Sequence, residues 1–401
     1  MSSSALPGSW DGLVVVCATT PWRGHHLLDQ TLARELSRHT PVLYVDPPVS
    51  VVGRLRNHGS AGAPPALQAI GPNLARLTPT AFPLHQRPGI KTLSLAGTRR
   101  ALARAVTALG SPDVLAVIVP SLNPLFGACG ERTKVFYAKD DYVAGARLMR
   151  IAPARLRRRD TRQPADADLV VAVSEVLADH YRAMGHHPLV IPNGCDVEHF
   201  AATDEVPPPP DLSLRTPVAG LIGTLGGRID VSLLHAVVSA DVSLLLVGGR
   251  PSPATDGLEP LIDEAQVSWV GPRPFEALPA YLQLMDVGLV PYTSSDPFNQ
   301  ASSPLKVLEY LAAGRPVVAT DLPGIRALDT DLVTIAEGPE AFAAAVRDAA
   351  ATAHDPTLVA RRKAFAAAHG WSARLRPLIS ALGLTPAQPL ASALTDEVVE
   401  R

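Results

Sequence analysis

Short runs of β-branched and aliphatic residues, each followed by a stretch long enough for a helix, recur from one end of this 401-residue chain to the other. In the first half they are Leu13–Cys17, Val42–Val45, Val114–Val119, Val135–Tyr137, Leu169–Val173 and Leu189–Ile191. In the second they are Val218–Ile222, Val242–Val247, Val267–Val270, Val287–Val290, Pro316–Thr320 and Leu332–Ile335. Uninterrupted apolar runs of this length read as strands buried on both faces, and helix-length spacing between them requires crossover connections, so the sheets are parallel. The chain is too long for a single core of this kind, and two doubly wound α/β domains follow. Pro207-Pro208-Pro209-Pro210 fits neither a sheet nor a helix interior and marks the linker. That places one Rossmann-like domain at 1–205 and a second at 206–370. Residues from Gly53 to Pro72, rich in Gly, Ala and Pro and without periodicity, read as a surface loop or flap.

Charge narrows the partners. With 36 basic and 38 acidic residues the formal net charge is −2, so no overall field favours nucleic acid. The one dense basic segment runs from Arg147 through Arg150, Arg155, Arg157, Arg158 and Arg159 to Arg162, and suits either a solvated helix face or peripheral contact with an acidic lipid surface. Cys17, Cys129 and Cys195 are odd in number and widely spaced, as expected of buried thiols in a reducing cytosol. Met1–Trp10 lacks the basic and apolar regions of a leader, and no apolar run approaches the roughly 18 residues that span a bilayer. The expectation is a cytoplasmic protein, with peripheral association at the inner membrane as its one membrane option.

In open parallel sheets ligands bind beyond the carboxyl ends of the strands, so two facing domains offer one shared cleft. The strongest signal there is Ser302-Ser303-Pro304-Leu305-Lys306-Val307-Leu308-Glu309, followed by Gly314 and another β-branched run. Ser303 suits an N-cap, Pro304 the first helical position and Gly314 the stop. Lys306 then sits in the first turn, where the helix dipole disfavours a cation by about 0.3–1 kcal/mol. A bound diphosphate removes the conflict, because the orphan amides of Ser302, Ser303 and their neighbours would point at it together with the ammonium. Glu309, one turn deeper, is placed to accept hydrogen bonds from sugar hydroxyls.

Gly223-Thr224-Leu225-Gly226-Gly227-Arg228 follows a strand and allows backbone amides to approach a phosphate, with Arg228 adding a charge-assisted contact. Its spacing is not the dinucleotide fingerprint. Gly248, after the next strand, and Arg273, in the Pro-stiffened loop Gly271–Pro274, join the donor-binding candidates. In the first domain Arg23, His25 and His26 concentrate at a strand end as sugar or acceptor contacts. Adjacent histidines point about 100° apart on a helix and no carboxylate or cysteine accompanies them, so no metal is expected. Asp140 and Asp141 end the Val135–Tyr137 strand; one is expected to act on the acceptor proton or the donor sugar, the other to cap the next helix. Ser174 and Asn193-Gly194 read as cap and turn.

Taken together, Leu189–Phe200, Gly220–Asp230, Val270–Leu282, Asp286–Pro291 and Pro304–Thr320 resemble the family 4 nucleotide-sugar-dependent glycosyltransferases of the GT-B fold, near the bacterial teichuronic-acid and exopolysaccharide branch. The resemblance implies transfer of a sugar from a nucleotide-diphosphate sugar to a glycan, lipid-linked or small-molecule acceptor, with no resident cofactor. It also implies that Glu309 holds the nucleotide ribose, that the glycine loop and helix start hold the diphosphate, and that a helix near 371–401 crosses back to the first domain. The chain departs from the family pattern in two respects: Ala301 stands where a first glutamate is usual, so that its role is unfilled or passes to Asp296 or Asn299, and Thr224 and Asp230 occupy the region of the usual Arg–Lys pair, leaving Lys306 and Arg228 as the cations. On this reading Lys306, Arg228, Asp140 and Asp141 are the catalytic candidates. A nucleotide-sugar epimerase and a non-catalytic surface-binding member of the same fold are the competing expectations.

Overall fold

The structure is a computed structural model that describes residues 10–23, 28–50, 66–81, 90–111, 113–120, 125–149, 151–250 and 257–385. Two large sheets organise them. The first contains β1 (Leu13–Cys17), β2 (Val42–Val45), β3 (Leu67–Gly71), β4 (Leu74–Leu77), β5 (Val114–Val119), β6 (Thr133–Ala138), β7 (Leu169–Ala172) and β8 (Leu189–Val190), in the spatial order β8-β7-β6-β5-β1-β2-β4-β3. The second contains β9 (Val218–Ile222), β10 (Ser243–Val247), β11 (Val267–Trp269), β12 (Val287–Val290), β13 (Val317–Ala319) and β14 (Val333–Ile335), in the order β11-β10-β9-β12-β13-β14. Neighbouring strands are parallel, apart from β3, which runs antiparallel to β4 at the edge. The order reverses between β1 and β5 in one sheet and between β9 and β12 in the other. Those switch points open a crevice at the strand ends, where Thr19–Arg23 and Gly223–Asp230 lie.

Strands β1, β2, β9, β10, β12 and β13 are buried at every residue, which is why their sequences are almost wholly apolar; the exception, Ser243 at the start of β10, donates its hydroxyl to the Arg215 carbonyl at 2.6 Å. The edge pair was harder to read. Leu67–Gly71, inside the segment expected to be a loop, is a half-buried strand, and Leu74–Leu77 is a strand with no counterpart among the expected runs. Gln68, Gly71 and Arg76 break any apolar run there, because an edge strand needs only partial burial. Residues 53–65 of that segment lie outside the described residues, as does the tail after Thr385.

The chain crosses between domains earlier than the tetraproline suggests. Cys195 and Phe200 already pack in the second domain's core with Leu282, Tyr310 and Leu311, so the prolines only lead into β9. The return crossing runs beside the first: Trp371 N–H donates to the Cys195 carbonyl at 3.3 Å. Beyond it Trp371, Leu375, Leu378, Ile379 and Leu382 insert into the core of the first domain. Ser372 Oγ donates to Glu35 at 2.8 Å and fastens this segment to the helix Leu28–Leu36.

Helix Leu305–Ala312 lies centrally in the second domain, with Val307 through Ala312 all buried. Its start differs from expectation. Pro304, with extended ψ, is the N-cap and offers no side-chain bond, while Ser303 Oγ accepts from the Asn193 amide at 3.1 Å and the Ser303 carbonyl accepts from Asn193 Nδ2 at 2.8 Å. The serine is used to tie the helix start to the crossing segment instead of closing the helix. Cys17 and Cys195 are buried, whereas Cys129 is only half-buried; all three are free thiols.

Candidate active site

Lys306 reaches from the first turn of its helix to the glycine loop of β9. A Cβ built on Gly223 would lie 2.5 Å from Lys306 Cε and 2.8 Å from Nζ, so only glycine leaves room for the ammonium over this backbone. Gly223 has φ +137°, in the region that side chains avoid. Gly248 is there for a close approach: its Cβ would lie 1.7 Å from the Gly223 carbonyl oxygen, so β10 seats directly against the loop. The loop is therefore a compact backbone surface with one cation above it, suited to an anion.

Arg228, at the end of the same loop, is held from three sides. Its Nε donates to Asn299 Oδ1 at 2.7 Å, and its Cζ stands 4.7 Å from the ring centres of both Tyr292 and Phe298. Asn299, fully buried, donates in turn to the carbonyls of Arg228 and Thr293 at 3.0 Å each. A guanidinium clamped between two rings loses little further freedom on meeting a phosphate. Its terminal amino groups have no hydrogen bond to the described residues, and its charge is felt by Asp140 of the first domain.

Burial is the main influence on the Asp140 carboxyl and pushes its pKa up; Lys139 and Arg228 pull it back down, while Asp29 and Asp141 add to the rise. No described residue donates a hydrogen bond to it. Asp141 is used differently, since its Oδ1 accepts from the amides of Val143 at 3.0 Å and Ala144 at 2.8 Å, a capping role that does not need an ionised group. The pair thus divides into one uncommitted carboxylate and one turn-forming residue. Below them Lys139 is paired with fully buried Asp29 at 2.8 Å and also donates to Thr19 Oγ1, which donates to Asp29 Oδ2 at 2.6 Å. A carboxylate on the buried face of Leu28–Leu36 is a signal that the reading of its leucines alone passed over.

Glu309 is buried, and no described residue donates to its carboxylate. Desolvation raises its pKa most, Lys306 opposes the rise and Asp196 adds to it. The sign for stability follows. A carboxyl whose folded pKa lies above its unfolded value opposes folding once pH exceeds the ordinary carboxylate range, and does so increasingly up to the folded pKa. Glu309→Gln should therefore raise Tm at pH 7 and flatten the fall in stability between mildly acidic and neutral pH. Scanning calorimetry across pH checks this, and an unchanged or lower Tm at pH 7 would refute the unpaired-carboxylate reading.

The remaining candidates fall at different depths. Ser302 is buried and donates to the Asn299 carbonyl at 2.7 Å, which supports the loop carrying Arg228's partner. Thr224 is exposed beside the glycine loop. Arg273 is exposed, with its Cζ 5.6 Å from the Tyr281 ring centre at the mouth of the β11 loop. Arg23 is exposed at the end of the β1 loop, and His25 and His26 lie outside the described residues. Of the two substitutes for the missing first glutamate, Asn299 is committed to Arg228, while Asp296 caps the helix Pro297–Gln300 with Oδ1, which accepts from the Phe298 amide at 2.8 Å, and makes no hydrogen bond through Oδ2 to the described residues. Ala301 is 1% exposed and joins the hydrophobic cluster of the first domain, where Ser174 Oγ donates to its carbonyl at 2.6 Å. A charged side chain would not be tolerated in that contact. Ser174 also caps the helix Glu175–Arg182. Tyr292 and Phe298, the rings that hold Arg228, carry no periodic signature in the sequence, because one stands in a loop and the other in the four-residue helix Pro297–Gln300.

Residues 230–352 match the family described as Glycosyl transferases group 1. Over 200 residues the chain is 31% identical to a protein named for teichuronic acid biosynthesis, the glycosyltransferase TuaH of Bacillus subtilis (strain 168). The alignment covers 48% of this chain and 50% of that one, so the chain spans about half the length of this curated relative. Among solved structures, sucrose-phosphate synthase from Thermosynechococcus elongatus superposes with a TM-score of 0.69 at 17% identity, covering 92% of this chain and 99% of that one. Anabaena HepE in complex with UDP-glucose superposes with a TM-score of 0.61 at 16% identity, covering 92% and 99%. At such identities these structures speak for the fold. With the family match over residues 230–352, they show a chain that resembles the group 1 glycosyltransferases and has the GT-B fold.

Proposed function

We propose that this chain is a glycosyltransferase that takes a sugar from a nucleotide-diphosphate sugar on its second domain and passes it to a hydroxyl of an acceptor on its first. The observation that carries the reading is the placement of Lys306 over the Gly223 backbone, with clamped Arg228 beside it and Asp140 opposite. Departure of a nucleoside diphosphate builds negative charge on its phosphates, and two preoriented cations with backbone amides stabilise that charge with little reorganisation. These groups supply the charge compensation, so the reading needs neither a metal ion nor a resident cofactor. Asp140, with its carboxylate unspent, takes the acceptor proton. Buried Glu309 binds the donor's ribose hydroxyls, which would give it the hydrogen bonds it lacks in the protein.

Incubation of the full chain with radiolabelled nucleotide sugars and glycan, lipid-linked or small-molecule acceptors tests this directly. Label appearing in the acceptor supports it. Altered sugar stereochemistry without an acceptor would instead identify an epimerase, and no conversion with any donor would identify a non-catalytic binding protein.

The acceptor also has a proposed setting, at the cytoplasmic face of a membrane. Among the described residues no helix is long and apolar enough to cross a bilayer. On helix Pro153–Ala165, Arg155, Arg157, Arg158 and Arg162 are exposed, and Leu148 and Met149, 50% and 37% exposed, project just before it. The one acid buried there, Asp160, is occupied by His180 at 2.7 Å and Tyr181 at 2.8 Å. Cations beside exposed apolar side chains suit an anionic lipid surface, each arginine contributing about 1 kcal/mol. Sedimentation with phosphatidylglycerol vesicles should retain the wild type and lose R157E/R158E at least tenfold; equal sedimentation of the two would refute the contact.

A further inference from the structure

A cavity of about 430 Å³ opens between the domains, walled by Trp22, Arg23, Arg34 and Arg76 on one side and by Phe275 and Glu276 on the other. No residue of the glycine loop or of helix Leu305–Ala312 lines it, so it is separate from the diphosphate cradle. Its size is within the roughly 300–1,000 Å³ of small-molecule sites.

The cavity is built by a buried carboxylate. Asp46, 2% exposed at the end of β2, accepts from the Trp22 amide at 2.8 Å, from Arg76 Nε at 2.6 Å and from Thr78 Oγ1 at 2.6 Å. It thereby fixes the indole loop and one guanidinium in the same wall. Arg76 spends only Nε on this bond, and its side chain is 12% exposed, so its terminal amino groups are available at the cavity surface. Arg34 lies with Cζ 5.0 Å from the Trp22 ring centre, and Trp22 packs edge-on against Tyr44 at 5.0 Å. Arg23 has no ion pair among the described residues. Three guanidinium groups thus meet one buried carboxylate and, across the gap, Glu276. The excess is positive, and a walled cleft concentrates its field.

The same β1 loop joins the cavity to the reaction centre, because Thr19 at its start is bonded to Lys139, the neighbour of Asp140. From these contacts we infer that the cavity is an acceptor subsite for a saccharide carrying a carboxylate or phosphate group. Guanidinium groups bind either anion with paired, charge-assisted hydrogen bonds, while the indole and Phe275 cover the apolar parts of the ring. The inference rests on the glycosyltransferase reading and makes it specific: the sugar is received by an anionic glycan residue.

Calorimetric titration of the full chain with methyl glucuronide, glucose 6-phosphate and neutral methyl glucoside tests it. At least one anionic sugar should bind tenfold or more tightly than methyl glucoside, and which of the two does so identifies the charged group. Arg23→Glu, an exposed position, and Arg76→Gln, which keeps a donor toward Asp46, should each weaken that binding at least tenfold. Equal binding of charged and neutral sugars, or anion binding that survives both substitutions, overturns the inference. Titration of nucleoside diphosphates on the same samples keeps the two readings apart: loss of nucleotide binding in the wild type counts against the transferase, whereas failure of the anionic sugars alone counts against the subsite.

Discussion

Replacing Asp140 with asparagine is expected to lower kcat by about 10²–10³-fold, within the range of a lost general base, with little change in donor KM. The reason is its isolation. Asp140 receives no hydrogen bond from any described residue, and its charged form is sustained only by Lys139 and Arg228 against burial. Because burial dominates, the acid limb of the pH–rate profile should lie above the ordinary carboxylate range, with activity rising as Asp140 deprotonates. That limb should vanish in Asp140→Asn. The neighbouring residue is the control. Asp141→Asn preserves the oxygen that accepts from Val143 and Ala144 and should keep most of the activity, while Asp141→Ala should cost about 1 kcal/mol of stability through the lost cap. A profile whose acid limb is the same in wild type and Asp140→Asn would remove Asp140 from the mechanism.

Lys306→Ala is expected to reduce kcat/KM by about 10²-fold or more, the magnitude of one lost charge-stabilising donor at a developing anion, and to weaken nucleoside diphosphate binding. Folding should be nearly indifferent. A cation in the first turn of a helix costs about 0.3–1 kcal/mol, so its removal relieves a small strain. Against that, the loss of its favourable effect on Glu309 pushes the buried carboxyl's pKa further upward. Opposed effects on stability and a large effect on turnover are the signature of a residue kept for its ligand. Stopped-flow nucleotide binding and steady-state kinetics on the same preparation separate the two. Wild-type kcat/KM in Lys306→Ala would refute its placement at the leaving group, and a collapse of Tm would assign it to structure instead.

The two substitutions also divide the site by domain. Asp140 belongs to the first sheet and Lys306 to the second, and they are brought toward one crevice by contacts the chain makes elsewhere. Ser174 bonds to the carbonyl of Ala301, Asn193 bonds to Ser303 twice, and the ring of Phe298 fits against Gly145, where a Cβ would lie 2.8 Å from Cε2. The segment 297–303 is therefore both the support of Arg228 and the docking surface for the first domain. Ala301 makes sense in that setting: it is part of the interdomain packing, and the position is too dry for a charge.

Much of the architecture was legible in the amino-acid order, because a strand buried on both faces must be apolar throughout and a parallel connection must be long. Leu13–Cys17, Val114–Val119, Val218–Ile222 and Val287–Val290 have the same bounds as strands in the structure. The edge strands were not legible, since half-burial imposes no such pattern on Leu67–Gly71. Within the site, a lysine in a first helical turn and glycines at a strand end violate local preferences, and a violated preference is visible in a sequence. Asn299, Tyr292 and Phe298 violate nothing conspicuous, so their service to Arg228 was invisible.

Local chemistry along the chain was thus enough to set the buried strands of both sheets and the two-domain plan, each governed by interactions within a few residues or by the period of burial. Folding in three dimensions was needed to settle which buried carboxylate pairs with Lys139, why Ser303 leaves its cap to join the crossing segment, and which arginines gather around Trp22. Those outcomes depend on hydrogen bonds and ring contacts between residues tens to hundreds of positions apart, and no local preference records such a partner.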